Sequence, residues 1–158
     1  AIAIALMERK KFSKLDFKKF HPSGNLGKKL RTVEDLMLKG NKIPFINENA
    51  NIEQVIKLIT QKKLGVVIIR NRKKITTGIF TDGDIKRTIQ MNKKLQNKLI
   101  KNYMTKNPIS IDKDMLAENA LGIMNERKVT SICVHKNLNK KKTIGILHIH
   151  HLINADIS

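Results

Sequence analysis

The sequence predicts an α/β (α+β) fold in which two copies of one β-α-β-β-α unit pack with pseudo-two-fold symmetry. Leu36-Met37 leads through a helical pattern and an apolar run to Gly78-Ile-Phe-Thr-Asp-Gly-Asp84, and Tyr103-Met104 leads in the same order to Gly145-Ile-Leu-His-Ile-His-His151. A period of roughly 65 residues is too long for a solenoid repeat and suits a small α/β domain duplicated in tandem. The repeat therefore predicts the architecture before any site is considered.

An amphipathic helix is predicted early in each copy. Asn51 stands at the N-cap position of the first helix, and Gln54 stands three residues later, where it completes a capping box. The apolar residues of both helices recur at helical spacing. They are Ile52, Val55, Ile56 and Ile59 in the first copy, and Leu116, Ala120, Leu121, Ile123 and Met124 in the second.

Two short strands follow each helix. The first strand is apolar and covers residues 65–69 in one copy and 131–134 in the other. A lysine-rich turn then leads to a returning strand, 75–80 or 143–147, which ends where another helix begins. A copy of about 55 residues buries too little apolar surface to be stable by itself, so we expect the two copies to share a core, sheet against sheet.

The junction between the returning strand and the next helix is the candidate binding site. The free N–H groups and the positive dipole end of a helix favour an anion in an adjoining cleft. Thr81 offers a hydroxyl to a phosphate, and Asp84, one helical turn further on, can accept hydrogen bonds from a ribose diol. The same residues also suit a structural role, in which Thr81 is the N-cap and Asp82 and Asp84 complement the helix dipole.

The second copy carries histidines at this junction. His148 stands in place of Thr81, and His151 stands in place of Asp84. A neutral imidazole cannot replace a carboxylate as the acceptor for a diol, so we expect the two halves to be occupied asymmetrically. His148, His150 and His151 lie within four consecutive residues at a strand–helix junction, where their side chains cannot easily all coordinate one metal ion. No metal site is therefore predicted.

The chain is strongly basic, with 32 Lys and Arg against 13 Asp and Glu and a formal net charge of +19. Clustered basic residues bind nucleic acids through the phosphates. Here the basic pairs are scattered over turns and helix ends, and they do not alternate with aromatic side chains that could stack on bases. The net charge therefore bears on solubility and association, and it does not by itself predict a nucleic-acid-binding domain.

The remaining composition predicts a cytoplasmic protein without a membrane partner. The single cysteine, Cys133, lies in an apolar strand and is most simply a buried small hydrophobe, and no internal disulfide can form. Residues 1–7 are apolar, but they lack the basic region and cleavage site of a signal peptide and are far too short to span a bilayer. We interpret them as the end of a helix of a preceding domain.

Three motifs resemble parts of known families. Gly78-Ile-Phe-Thr-Asp-Gly-Asp-Ile-Lys-Arg87 and Gly145-Ile-Leu-His-Ile-His150 resemble the strand-to-helix motifs of tandem CBS domains, which are nucleotide-sensing modules attached to many enzymes. Phe20-His-Pro-Ser-Gly-Asn-Leu-Gly-Lys-Lys-Leu30 resembles the end of the sugar isomerase (SIS) domain in bacterial arabinose 5-phosphate isomerases. The resemblance implies that residues 1–30 end a SIS domain, that 31–92 form the first CBS domain, and that 93–158 form the second.

In that family, the enzyme interconverts ribulose 5-phosphate and arabinose 5-phosphate for the synthesis of Kdo and lipopolysaccharide. The resemblance implies that the CBS pair senses an adenine nucleotide or CMP-Kdo and that catalysis needs no cofactor. The resemblance implies two kinds of partner. One is the chain's own SIS domain, and the other is further copies of the same protein, which would form a homodimer through the CBS pairs and a homotetramer of the parent protein.

The resemblance also implies roles for individual residues in nucleotide binding. Thr81 and Asp84 would hold phosphate and ribose, and Gly65 and Val66 would offer backbone contacts to a base. The corresponding candidates in the second copy are Ser131 and His148.

His21 is the catalytic candidate that the resemblance implies. Moving a proton between C1 and C2 of a sugar phosphate through an enediol requires a base, and opening the ring requires an acid or base. In the family, the equivalent histidine reaches an active site built largely by the SIS domain. The glutamate, the lysine and the phosphate-cradling loop of that site match nothing in this sequence, so we expect this chain alone to be inactive.

Two alternatives from other functional classes stay open. The pair could be a purely structural dimerisation module, with the apolar helices at 52–64 and 116–127 supplying the interface. Less favoured is a basic nucleic-acid-binding domain, whose affinity would survive at physiological salt only if binding were specific.

Overall fold

The structure, a computed structural model, describes residues 30–91 and 94–158. Within these ranges lie both copies of the predicted unit, which we call module 1 (residues 30–91) and module 2 (residues 94–158). The catalytic candidate His21 and nearly all of the expected SIS segment, residues 1–29, lie outside the described residues.

Both modules follow the predicted order of elements. Module 1 contains α1 (Val33–Leu36), β1 (Leu38–Lys39), a 3-10 turn at Gly40–Lys42, β2 (Phe45–Asn47), α2 (Ile52–Lys62), β3 (Val66–Arg70), β4 (Thr76–Thr81) and α3 (Asp82–Met91). Module 2 contains a 3-10 turn at Ile100–Asn102, β5 (Thr105–Lys106), β6 (Ser110–Asp112), α4 (Ala117–Arg127), β7 (Ser131–His135), β8 (Gly145–His148) and α5 (Ile149–Asn154). The α/β prediction is confirmed, with the ends of the predicted strands shifted by one or two residues.

Local sequence explains where the central helices begin and end. The Asn51 Oδ1 accepts from the Gln54 N–H at 2.9 Å, and the Gln54 Oε1 accepts from the Asn51 N–H at 3.0 Å, so the predicted capping box is present. Helices α2 and α4 end at Lys63 and Lys128, which adopt left-handed backbone conformations with φ of 55° and 56°. Because this conformation stops a helix, the chain leaves α2 and α4 at equivalent points.

Each sheet takes its edge strand from the other module. One sheet has the strand order β2-β3-β4-β5 and the other has the order β1-β8-β7-β6. Gly78 of β4 lies opposite Lys106 of β5, and Leu38 of β1 lies opposite Ile146 of β8, both in antiparallel pairs. Main-chain hydrogen bonds of the sheets therefore connect the two modules to each other, in addition to holding the strands of each module together.

The central strands bury both of their faces. In β3, Val67 and Ile69 pack into the core of module 1, whereas Val66 and Ile68 face the opposite sheet. We call the layer between the sheets the intersheet core. Its buried members are Ile43, Val66, Ile68, Cys133 and Ile146.

The prediction that Cys133 is a buried hydrophobic residue is confirmed. It is 1% exposed, and burial raises the pKa of its thiol to about 12. A thiol with this pKa is essentially never the reactive thiolate at neutral pH.

The apolar faces of α2 and α4 are covered within the chain. Ile52, Val55 and Ile59 are buried in the core of module 1, and Ala120 and Met124 are buried in that of module 2. The apolar faces of these helices therefore contact the sheets, and an interface on α2 and α4 would have to use their other faces. Among residues 30–91 and 94–158, no helix combines the length and apolar character needed to cross a membrane.

Repeated residues meet across the pseudo-two-fold axis. Thr76 and Thr143 hold equivalent positions, and their hydroxyls lie 2.5 Å apart. Met104 of module 2 packs over Gly78, where an added Cβ would lie 2.7 Å from the Met104 Cγ and 3.0 Å from the Thr105 carbonyl oxygen. An added Cβ at Gly145 would lie 2.9 Å from the Met37 Cγ. The Met and the Gly of each repeat are thus packing partners between modules.

We predict that Gly78→Ala and Gly145→Ala each destabilise the chain by about 1–3 kcal/mol, because the new methyl group overpacks a contact between modules. The free energy of unfolding in urea measures this effect. Gly122→Ala is the matched control, since Gly122 lies in α4 with open space around it. That substitution should be neutral or stabilising by roughly 0.5–1 kcal/mol. Equal stabilities for all three variants would contradict the packing argument.

Candidate functional site

The strand–helix junctions of both modules face one cleft. Its volume is about 860 Å³. Five of the predicted residues line it together: Gly65, Thr81, Asp84, Ser131 and His148. The sequence predicted two half-sites, and the fold places them opposite each other in a single space.

Thr81 and Asp84 hold each other in place at the start of α3. The Asp84 Oδ2 accepts from the Thr81 N–H at 2.9 Å and from the Thr81 hydroxyl at 3.1 Å, while the Thr81 Oγ1 accepts from the Asp84 N–H at 3.3 Å. The structural role foreseen for Thr81, capping the helix, is therefore present. These contacts also fix the hydroxyl and the carboxylate at the edge of the cleft.

The second oxygen of Asp84 has an exchangeable partner. Its Oδ1 accepts from the Arg87 guanidinium, which also lines the cleft. The Asp84 side chain is 12% exposed, whereas that of Arg87 is 67% exposed. Because the Arg87 guanidinium is exposed to water, a ligand donor that replaces it at Oδ1 makes this acceptor available without leaving the mostly buried carboxylate unpaired.

Gly65 brings the main chain close to the start of α3. Its backbone adopts a left-handed conformation with φ of +72°, and its carbonyl accepts from the Asp82 N–H at 3.0 Å. A Cβ at this position would lie 2.7 Å from the Asp82 Oδ2, so a side chain here would displace Asp82 and strain the left-handed backbone. The structure does not bring Val66 to the cleft, because its side chain lies in the intersheet core and its main chain pairs with Thr81.

Module 2 builds the same cap from imidazoles. The His151 Nδ1 accepts from the His148 N–H at 3.1 Å, and the His148 Nδ1 accepts from the His150 N–H at 3.1 Å. The rings of His148 and His150 stack with centroids 4.7 Å apart. The described residues include no group of three or more His, Cys, Asp or Glu side chains arranged to hold a metal ion.

The histidine cap is formed by neutral rings. Burial is the main cause that lowers the pKa of both His148 and His151, and the charge that His150 would carry lowers both further. Protonation would also convert each Nδ1 from an acceptor into a donor and so break the cap.

Three cations in the cleft were missed by sequence reasoning. Lys63 and Lys128 end the two central helices, and Arg87 lies one turn beyond Asp84. Against these three cations the lining contains only the carboxylates Asp82 and Asp84. The signal was present in the basic pairs at both helix ends, but pairs of this kind occur along the whole chain. Their equivalent positions after repeated helices would have distinguished them.

Two α/β modules that exchange edge strands and share one cleft form a paired domain built from a repeat. The CBS domain family model matches residues 33–90 and 100–158. The chain therefore belongs to the CBS domain family and contains two CBS domains.

Curated relatives align with almost the whole chain. It is 39% identical to the arabinose 5-phosphate isomerase KdsD of Francisella tularensis and 35% identical to that of Salmonella typhimurium, in each case over 99% of this chain and 47% of the relative. It is 32% identical to an uncharacterized protein of Rickettsia prowazekii, over 100% of this chain and 48% of the relative. The chain thus spans about half the length of the curated relatives it matches.

Solved structures share the fold. A CBS-domain containing protein from Agrobacterium tumefaciens matches with a TM-score of 0.72 and 19% identity, over 80% of this chain and 93% of that one. A CBS domain protein from Pyrobaculum aerophilum complexed with AMP matches with a TM-score of 0.69 and 17% identity, over 77% of this chain and 90% of that one. At these identities the similarity establishes the CBS-pair fold.

We predict that the chain loses stability as the pH falls below about 6.5, the usual pKa of histidine in an unfolded chain. Because the pKa values of His148 and His151 are lowered in the folded state, the unfolded chain binds protons more readily. Their contribution is therefore complete above that pH and is lost on acidification. Urea unfolding at a series of pH values between about 7.5 and 5 measures the slope.

The double substitution His148→Thr with His151→Asp copies the cap of module 1. It tests whether the two histidines cause the loss of stability at low pH. The new aspartate titrates near pH 4 or below. The free energy of unfolding should therefore change less between about pH 7.5 and 5 than in the original chain. An unchanged slope in this variant would show that other groups cause the acid sensitivity.

Proposed function

We propose that the cleft binds a nucleotide and that the chain is the regulatory part of an arabinose 5-phosphate isomerase. The observation that carries the nucleotide proposal is the position of Thr81 and Asp84 at the edge of a cleft shared by both modules. A hydroxyl and a carboxylate are held there with fixed geometry, beside three cationic side chains.

The module 1 half of the cleft fits a ribose phosphate. Release of Arg87 would leave the Asp84 Oδ1 as an acceptor for a ribose hydroxyl, and the freed guanidinium could then bind a phosphoryl oxygen. The Thr81 hydroxyl lies next to the same carboxylate. Because Gly65 has no side chain and lines the cleft, its main chain is open to a base once the Asp82 carboxylate moves aside.

Two ligand classes follow from the family and its relatives. The AMP complex of the Pyrobaculum aerophilum protein supports an adenine nucleotide as ligand. As the alternative we propose a nucleotide sugar, CMP-Kdo, which the resemblance to arabinose 5-phosphate isomerases implies. In either case regulation requires that the ligand bind two arrangements of the pair with different affinity, since equal affinity shifts no equilibrium.

We predict that Asp84→Asn weakens nucleotide binding by roughly tenfold, because it removes a charged acceptor while keeping an oxygen that can cap α3. Calorimetry and thermal shift against AMP, ADP, ATP, CMP and CMP-Kdo measure the affinities. Asp114→Asn is the matched control, since it makes the same charge change at an exposed residue outside the cleft. The proposal fails if no ligand produces heat or a thermal shift, or if both variants bind alike.

The enzyme context is proposed from the relatives. Residues 1–30 would complete a SIS domain, followed by CBS domains at 31–92 and 93–158, with the catalytic group His21 reaching the SIS active site. The KdsD relatives, which match along 99% of the chain, support this arrangement. The pathway would be the synthesis of Kdo and lipopolysaccharide.

The 158-residue chain alone should not convert ribulose 5-phosphate to arabinose 5-phosphate, because the remaining catalytic groups of the family match nothing in it. A coupled assay of product formation tests this expectation, with the full-length Francisella tularensis relative as the positive control. Turnover by the purified chain would refute the idea that it is the regulatory part of a longer enzyme.

A dimerisation module is a second candidate, favoured by apolar side chains exposed on α3 and α5. Ile89 is 52% exposed and Met91 is 82% exposed on α3, while Ile153 is 55% exposed on α5. Apolar side chains exposed together on a surface are typical of an interface between copies. A homodimer through these helices would be compatible with nucleotide binding in the cleft.

We predict that Ile89→Glu together with Ile153→Glu weakens self-association, because charges in an apolar interface must be desolvated. Sedimentation velocity with and without AMP measures the oligomeric state. Leu138→Glu is the control, since Leu138 is 92% exposed on the turn between β7 and β8. Dimers that persist in the double variant would place the interface elsewhere.

A further inference from the structure

The imidazole cap of module 2 differs chemically from the cap of module 1. In module 1 the group that faces the cleft is a carboxylate, which can only accept hydrogen bonds when ionised. In module 2 the equivalent groups are the rings of His148 and His151, which both line the cleft. The same backbone geometry is therefore combined with side chains of a different hydrogen-bonding type.

The hydrogen bonds determine which ring nitrogen carries the proton. The Nδ1 atoms of His148 and His151 both accept from backbone N–H groups, so in the neutral rings the proton is on Nε2. Within the described part of the chain, neither Nε2–H donates to another residue, and no buried side-chain nitrogen or oxygen lacks a partner. Both Nε2–H groups are therefore accessible as donors.

The surrounding charge favours an anion at these donors. Lys128 ends α4 on the module 2 side of the cleft, and Ser131 adds a hydroxyl. The carboxylates of the lining, Asp82 and Asp84, both belong to module 1. The donors are ring N–H groups rather than the start of α5, because the backbone N–H groups of His148 and His150 are already used by the cap.

We propose that the module 2 half of the cleft binds an anionic acceptor group, phosphoryl or carboxylate, through the Nε2–H groups of His148 and His151. The orientation of the ligand rests on the proposed nucleotide function. The ribose would bind Asp84, and the anionic group would bind the two histidines. A cleft of about 860 Å³ accommodates one such ligand across both modules. The chain then binds one ligand per pair instead of two equivalent ones.

Long-range proton–nitrogen NMR of the histidine rings tests the proposal directly. Titration of the 158-residue chain with sodium pyrophosphate, and separately with malonate, should shift the Nε2 signals of His148 and His151. His135 is the internal control, since it is 4% exposed and bonded to Ser110. A response to either anion supports the proposal and shows whether a phosphoryl or a carboxylate group is preferred, whereas a response to neither overturns it.

Two substitutions at one position separate the donor from the cap. His148→Asp keeps an acceptor for the His150 N–H but removes the donor, and should weaken binding of the responding anion at least about tenfold. His148→Asn keeps an acceptor and offers an amide donor, and should bind within about threefold of the original chain. Thermal unfolding confirms that both variants fold. Equal binding by His148→Asp and the original chain would overturn the proposal.

Titration with AMP distinguishes failure of this inference from failure of the nucleotide proposal. Loss of AMP affinity in Asp84→Asn but not in His148→Asp would support nucleotide binding and overturn the role of the histidines. Binding of pyrophosphate without any binding of AMP, ADP, ATP, CMP or CMP-Kdo would support the anion site and refute the nucleotide proposal. A stoichiometry of two equivalent AMP molecules per chain would overturn the assigned orientation.

Discussion

The intersheet core is the constraint on which the rest of the structure depends. β3 and β7 are apolar on both faces, and the helices of their own module cover only one of them. The other face is removed from water by the opposite sheet, through contacts such as those among Val66, Ile68 and Cys133. Since burial of apolar surface is the main force in folding, each module loses stability when that face is exposed to water.

The same constraint creates the cleft. Packing the sheets about the axis marked by Thr76 and Thr143 brings the ends of β4 and β8 to the same side of the molecule. The exchanged strands β1 and β5 hold this arrangement with main-chain hydrogen bonds. A ligand in the cleft contacts both modules, so any preference it has for one arrangement of the modules acts on the whole pair.

The symmetry of the backbone does not extend to the chemistry of the cleft. Thr81 with Asp84 and His148 with His151 form the same local cap, but one pair exposes a carboxylate and the other exposes ring N–H groups. A duplicated fold can therefore keep its packing while its two half-sites accept different parts of a ligand. The apolar faces of α2 and α4 contact the sheets, whereas α3 and α5 also carry exposed apolar side chains.

The sequence by itself determined the features that depend on neighbours along the chain. The repeat, the helical stripes, the Asn51–Gln54 cap and the placing of Thr81 and His148 at strand ends could all be predicted, because helix caps and periodicity act over a few residues. Tertiary structure alone decided that Val66 faces the opposite sheet, since a strand buried on both faces shows no alternation from which to assign a side. It also decided that Lys63, Arg87 and Lys128 meet in one cleft, because their approach follows from packing of the modules and not from spacing along the chain.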